Sequence, residues 1–279
     1  MDSIVTNILR EGASYVSGCT GSAVWSTNLS LSEGHSNANT IRDSTLKEDL
    51  MSIGYLGTRG ADFRLNPLSA HFEVHIEQER KLQDQEKEIG IVTGIQGVRW
   101  YTVIVSGEQG HAGSTPMKDR ADALVAAAEI IILVQKLART RNAVGTVGVV
   151  RTEKCSSNKI AGYAEISIDF RHPAETVLDE FESSIKAELV RISTANSKFT
   201  LNINRIWRSP VANFNDLAVE CVRSAAVKEV GFKKCMEMIS FAGHDSALVS
   251  DKTPTAMIFI PCRDGISHSP LEHSTKEQW

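Results

Sequence analysis

Two short stretches carry side chains able to do chemistry. The first, His71-Phe72-Glu73-Val74-His75-Ile76-Glu77, alternates polar and apolar residues with the period of a half-buried strand. Side chains two apart on a strand share a face, so His71, Glu73, His75 and Glu77 are expected to project together. Imidazoles beside carboxylates on one face can ligate a metal or act as an acid–base pair. The second stretch, Gly110-His111-Ala112-Gly113, follows an alternating strand from Trp100 to Val105. Its small residues leave the imidazole uncovered and let another group approach the backbone closely. Taken singly, each histidine also reads as an ordinary residue on a sheet edge.

The elements that position these groups follow from periodicity. Trp100 to Val105 leads into a helix over Asp119 to Leu137, with Leu124, Ala127, Ala128, Ile131, Ile132, Val134 and Leu137 as its apolar face. Thr146 to Arg151 and Tyr163 to Phe170 read as strands. Glu175 to Ile192 is a second amphipathic helix through Val177, Leu178, Phe181, Ile185, Leu189 and Ile192, and Phe199 to Ile206 a fourth strand. The order β-α-β-β-α-β is the ferredoxin-like split motif, a four-stranded sheet with helices on one face. Upstream, Ser44 or Thr45 caps a helix that ends near Gly54, and residues 57–69 form a loop. Met1 to Leu9 could be a short strand or a helical turn, and the charged run Gln78 to Lys87 reads as a solvated helix or turn. Downstream, Asn215 to Glu229 is a helix with Leu217, Ala218, Cys221, Val222 and Ala225 on one side. The apolar run Thr255 to Ile260 suits a fully buried strand. Gly243-His244-Asp245 and Gly265-Ile266-Ser267-His268 occupy loops at its ends, and Asp245 either orients His244 or, as the favoured reading, caps a helix beginning near Ser246.

Composition narrows the class. Of 279 residues, 42% are hydrophobic and 23% charged, which is ordinary for a soluble globular chain of one large or two smaller domains. A net charge of −4 gives no reason to expect nucleic acid or an anionic membrane as partner. Five scattered cysteines without a CxxC pair argue for reduced thiols and neither a disulfide frame nor a cysteine–zinc site. The amino-terminal MDSIVTNILREG has no apolar core behind a basic start, and the longest apolar run, Ala121 to Val134, is interrupted by Asp122 and Glu129. A cytoplasmic protein is expected.

HIEQ, VTGIQG, GHAGSTPM, AGHD and GISHSP occur in this order along the chain. The set resembles the N-carbamoyl-L-amino-acid hydrolase, β-ureidopropionase and allantoate amidohydrolase family of the aminoacylase–carboxypeptidase superfamily, from about Arg10 onward. The resemblance implies a partial metallo-aminopeptidase-like α/β catalytic domain with an inserted ferredoxin-like α+β lid and dimerisation domain. The catalytic domain would span 1–96, incomplete at its amino terminus, and 209–279, with the lid at 97–208. It implies hydrolysis of C–N bonds in linear N-carbamoyl or ureido acids, two divalent metals (zinc or manganese), and a homodimer formed through the lid.

Residue by residue, the resemblance makes His75, His268 and Glu11 metal ligands. It gives His111 and His244 catalytic contacts to the reacting group, and Gln78, Asn158 and Arg171 contacts to substrate. The family's Glu-Glu-Gly motif reads Arg10-Glu11-Gly12 here, so Arg10 stands where the family carries its general-base glutamate, and a guanidinium cannot accept a proton. The family's remaining histidine and bridging aspartate lie upstream of that motif, so a truncated chain with impaired metal occupancy is expected. The alternative is a non-catalytic paralogue that binds small carboxylates or pairs with a full-length relative. Glu79-Arg80 replaces the family's usual Gly-Pro after HIEQ.

Overall fold

The computed structural model describes residue 15 and residues 19–39, 41–153 and 156–279. The element expected within Met1 to Leu9, and Glu11 with it, lie outside these residues. In chain order the first elements are helices Thr20–Trp25 (α1), Leu31–His35 (α2) and Leu46–Ser52 (α3), strand His71–Ile76 (β1), helix Lys81–Asp84 (α4) and strand Ile89–Ile95 (β2). Strands Gly97–Ser106 (β3) and Gly110–His111 (β4) lead to helix Ala123–Thr140 (α5). Strands Val144–Thr146 (β5), Val150–Thr152 (β6), Lys159–Ile160 (β7) and Tyr163–His172 (β8) precede helix Glu175–Ala195 (α6) and strand Thr200–Ser209 (β9). Strand Ala212–Asn213 (β10), helix Asp216–Val230 (α7), strand Cys235–Ser240 (β11), helix Asp245–Val249 (α8) and strand Thr255–Ile260 (β12) complete the set. The chain divides into two compact units, Met1–Ile95 with Ala212–Trp279, and Gln96–Val211. No helix among the described residues is long and apolar enough to cross a membrane.

In the first unit β2 is the hub of a mixed sheet. It runs parallel to β11 and antiparallel to β12 and β10, while β12 runs parallel to β1. Ile91, Val92, Met257, Phe259, Val219 and Val222 are buried together between the sheet and α7. The register pairs His75 with Phe259 and Ile76 with Ile260, so the loops after β1 and β12 leave the same end of adjacent parallel strands. That is where open α/β sheets bind ligands. The loop after β12 docks on the segment after β1: the Asp264 amide donates to the Gln83 side chain at 2.8 Å. Gly265 makes this approach possible, because its φ is +67° and an added Cβ would stand 2.9 Å from the Glu79 carbonyl carbon.

Three expectations for this unit need correction. Strand β1 inverts the half-buried pattern: Phe72 and Val74 are exposed, whereas His71, Glu73 and His75 are partly enclosed where β1 meets α8. The run after β1 is not a wholly solvated segment, because Leu82 of α4 is fully buried. Helix α7 buries Ala218, Val219, Val222 and Ala226, and Leu217 and Cys221 face solvent. The capped helix α3 forms as its sequence dictates: the Thr45 hydroxyl accepts from the Glu48 amide, and the Glu48 carboxylate accepts from the Thr45 amide.

The second unit is a β-α-β-β-α-β module. Its antiparallel sheet runs in the order β5-β8-β3-β9, with β6 also pairing β8. Tyr101, Val103 and Val105 of β3 face Ile166, Ile168 and Phe170 of β8 and the helices α5 and α6 in one core. Phe170 and Phe181 stack with ring centroids 3.6 Å apart. Helix α6 buries Leu178, Phe181, Ile185, Leu189 and Ile192, the face its sequence predicts. Helix α5 presents a rotated face: Ala123, Ala126, Ala127, Ile130, Val134, Leu137 and Ala138 are buried, and Leu124 and Ile132 are exposed. The second strand of the module is split into β5 and β6.

Arg99 is the charged member of this core face. Its side chain is 2% exposed and reaches Glu175 at 2.7 Å, Asp179 at 2.6 Å and Glu182 at 3.6 Å. A buried guanidinium persists only where carboxylates surround it. The cluster ties β3 to α6, and Arg205 and Arg208 bring β9 into the same network through Glu182 and Glu175.

Candidate functional site

In the first unit, β1 presents His71, Glu73 and His75 from one face, and α8 with the turn before it brings His244 and Ser246 against them. Glu73 is the hub. Its Oε2 accepts from the Ser246 hydroxyl at 2.6 Å and the Ser246 amide at 3.2 Å, with His71 Nε2 3.8 Å away. Its Oε1 lies 3.8 Å from Nδ1 of the buried His244. Burial opposes ionisation of Glu73, but His71, Ser246 and the neighbouring imidazoles outweigh it and hold the carboxyl at about 2. His75 Nδ1 donates to the Ile76 carbonyl at 2.7 Å, and its ring meets His244 edge to face at 4.6 Å between centroids. His244 Nε2 contacts the Ser240 hydroxyl at 2.8 Å.

This is a donor set of the kind that takes a divalent cation. One ligand atom each from Glu73, His75 and His244 can be chosen so that all lie within 4.8 Å of one another, the one such group among the described residues. Two imidazoles with one carboxylate suit zinc and manganese alike. His75 belongs to this group. His268 is exposed on the loop after β12 with a left-handed φ of 56°, and its amide donates to Glu272 at 3.0 Å. It joins no group of three ligand-capable side chains with His75.

Two polar groups near the cluster depart from expectation. Glu77 follows β1 but leaves its face: its buried carboxylate caps α4, accepting from the Lys81 amide at 3.0 Å and the Leu82 amide at 2.9 Å. Burial pushes this carboxyl up, with the helix amides opposing. Asp245 does not cap α8. It accepts from the Ser22 hydroxyl at 2.7 Å, and burial raises its carboxyl. Gln78 is half-buried with φ 62°, a conformation uncommon for a residue with a side chain.

The second unit brings His111 and Asn158 together. Strand β4 pairs with β7, the Ala112 amide donates to the Asn158 carbonyl at 2.8 Å, and both residues line a cavity of about 380 Å³ with Gln109, Gly110, Ser156 and Lys159. His111 Nδ1 accepts from the Gly113 and Ser114 amides at 3.1 and 3.2 Å. In the neutral ring the proton therefore sits on Nε2, which makes that edge of the imidazole a donor. Arg171 is not part of this cavity lining. It lies on the sheet face away from the helices, forked onto Asp169 through Nε at 2.8 Å and Nη2 at 2.7 Å. That pairing raises the guanidinium further.

Ser240, Ser246, Ser22 and Asp169 were not legible as site residues. Only Glu73 had a signal, its period-2 spacing from His75.

Comparison with known proteins adds a lineage. Residues 47–279 match the family described as peptidase family M20/M25/M40. The chain is 32% identical over 277 residues to an N-carbamoyl-L-amino-acid amidohydrolase of Rhizobium meliloti, covering 98% of this chain and 65% of that protein. It is 35% identical over 213 residues to the allantoate amidohydrolase of Bacillus subtilis, covering 76% of this chain and 51% of that protein. Among solved structures, an amidase of the hydantoinase/carbamoylase family from Burkholderia multivorans superimposes with a TM-score of 0.85 at 34% identity. That match covers 96% of this chain and 64% of that one. The chain thus spans between half and two thirds of the length of these relatives.

Proposed function

This chain belongs to peptidase family M20/M25/M40, and from that membership we propose that it is a metal-dependent hydrolase of C–N bonds in linear amides, with N-carbamoyl amino acids or ureido acids as substrates. The observation that carries the reading is the meeting of Glu73, His75 and His244 in the first unit. It supplies a cation-binding donor set in a chain whose relatives are named for amidohydrolysis.

When bound, a divalent cation supplies Lewis acidity toward water and toward an amide oxygen. His75 is the ligand on which the geometry and the resemblance agree. His268 and Glu11 are the further ligands that the resemblance implies. In the second unit, His111 offers an Nε2–H whose direction is fixed by two backbone amides, a donor suited to charge developing on an amide oxygen. Asn158 and Arg171 suit a substrate carboxylate, with Asp169 holding the plane of the guanidinium. Gln78 stands beside the carboxyl end of β1, a place for substrate contact.

In this reading residues 1–96 and 209–279 form the catalytic domain, and 97–208 form a lid through which two copies pair. Cys221, Cys235 and Cys262 are thiols, which fits a reducing compartment such as the cytosol. The test is hydrolysis of an N-carbamoyl-L-amino acid and of allantoate by the purified chain, before and after chelation. Turnover of one of them, lost on chelation and restored by zinc or manganese, is expected. No turnover of either at any metal supply contradicts the reading and leaves a small-carboxylate binder.

A further inference from the structure

We propose that Lys159 sets substrate preference: it makes the His111–Asn158 cavity of the second unit a subsite for a ureido or N-carbamoyl acid that carries a second carboxylate. This rests on the hydrolase reading for the reaction and adds to it the class of acid preferred.

The placement of Lys159 follows from strand register. Strands β4 and β7 pair antiparallel, with His111 directly opposite Lys159. Directly opposed side chains share one face of the pair, with Cβ atoms about 5 Å apart, so the lysine stem rises beside the imidazole. Both residues line the cavity of about 380 Å³, a volume in the range of small-molecule sites.

The polar groups gathered there are donors. His111 Nδ1 accepts from the Gly113 and Ser114 amides, so the neutral ring presents Nε2–H. The Ser156 hydroxyl donates to Asn158 Oδ1 at 2.7 Å, which leaves the two N–H groups of Asn158 Nδ2 for a ligand. Lys159 adds a positive charge. Its backbone amide donates to the Ser156 carbonyl at 3.0 Å, and its ammonium pairs with no carboxylate among the described residues. No acidic side chain is among the described residues that line the cavity. Glu153, which accepts from the lining residue Gln109, has its other oxygen on the Gly162 amide at 2.8 Å.

A concave set of donors around an unmatched cation favours an anionic ligand, and complementary charge gives such a site its specificity. In the proposed function, the carbamoyl oxygen meets His111 and one carboxylate meets Asn158 and Arg171. Lys159 is a cation beyond those contacts. A monocarboxylate leaves it unmatched, and a second carboxylate matches it.

The experiment is calorimetric titration of the chelator-treated full chain with N-carbamoyl-L-aspartate and with N-carbamoyl-L-asparagine. These ligands differ by one charge at nearly constant shape, and chelation keeps them from being consumed. The aspartate derivative is expected to bind about threefold to tenfold more tightly, an advantage that shrinks as salt is raised. Lys159→Met removes the advantage by weakening the aspartate derivative, and Lys159→Arg keeps most of it. Lys136→Met, at an exposed lysine of α5, binds both ligands as the parent does. If Lys159→Met alters the far-ultraviolet circular dichroism, Lys159→Gln replaces it. The proposal is overturned by equal binding of the two ligands, by binding of neither, or by an advantage that survives Lys159→Met. It is also overturned if Lys159→Met weakens both alike, which makes Lys159 a contact to the first carboxylate. Hydrolysis is scored separately with zinc restored. Selective binding without turnover of either acid leaves the subsite standing and contradicts the hydrolase reading. Turnover of both acids with equal binding overturns the subsite alone.

Discussion

At the scale of single residues, the chemistry depends on which imidazole nitrogen carries a proton, and backbone contacts decide it. His111 is the clearest case. Its Nδ1 is held by two amides, one of them that of Gly113. A Cβ on residue 113 would stand 3.3 Å from His111 Cε1, so in Gly113→Ala the ring gives way by a few tenths of an ångström. A misplacement near 1 Å costs about 100-fold in rate. For this smaller shift we expect kcat to fall by about threefold to tenfold with KM little changed, and His111→Ala to cost about 100–1000-fold. Steady-state kinetics of the two variants check this, and a Gly113→Ala enzyme with unaltered kcat contradicts it. The sequence exposes the reason for the glycine only in part: GHAG shows a histidine among small residues, but not that the second glycine makes room for the ring.

Elements are where sequence reasoning succeeded and failed for identifiable reasons. Helix α6 has one apolar stripe, so its buried face is unambiguous. Helix α5 is apolar nearly all round, and its sequence offers several stripes. Packing chose the alanine-rich one, because small side chains let α5 lie close on the sheet. The site strand β1 failed differently. Alternation revealed which residues share a face, but not that the polar face would be the more enclosed one. That depends on α8, whose Ser246 comes from 173 residues further along the chain. Glu77, two residues beyond His75, turned out to be a helix cap. Glu77→Ala removes the acceptor of two α4 amides and is expected to destabilise the first unit by about 1–2 kcal/mol, read as a lowered urea midpoint. Arg99→Met strips the counter-charge from Glu175, Asp179 and Glu182. Partial exposure of those carboxylates puts the cost near the low end for a broken buried pair, about 2–3 kcal/mol. A midpoint unchanged by Arg99→Met shows that the network contributes nothing net.

For the molecule as a whole, the two units rest on different physics. The first is a mixed sheet with a main apolar core and a small separate cluster of Ile76, Ile260 and Cys262, and the second adds a buried charge network whose stability depends on pH. Burial alone would raise the Glu175 and Glu182 carboxyls, but the surrounding ion pairs and hydrogen bonds outweigh it and hold both below the usual range. A carboxyl whose folded pKa is depressed contributes stability that is complete above the unfolded value, about 4.3, and is lost as pH falls through the folded one. Thermal unfolding of the second unit should therefore drop steeply below about pH 4, and Arg99→Met should flatten that dependence. The motifs made the fold family legible across most of the chain, because they sit where strands end and loops begin. The ligand set was less legible, since it joins β1 to a helix distant in sequence. The central claim is that these residues hold the ion on which hydrolysis depends. The most direct measurement is the rate of N-carbamoyl-L-amino acid hydrolysis as chelator-stripped protein is titrated with Zn²⁺. The account predicts a rate that rises with zinc occupancy and then levels off. A rate that stays at zero throughout would contradict it.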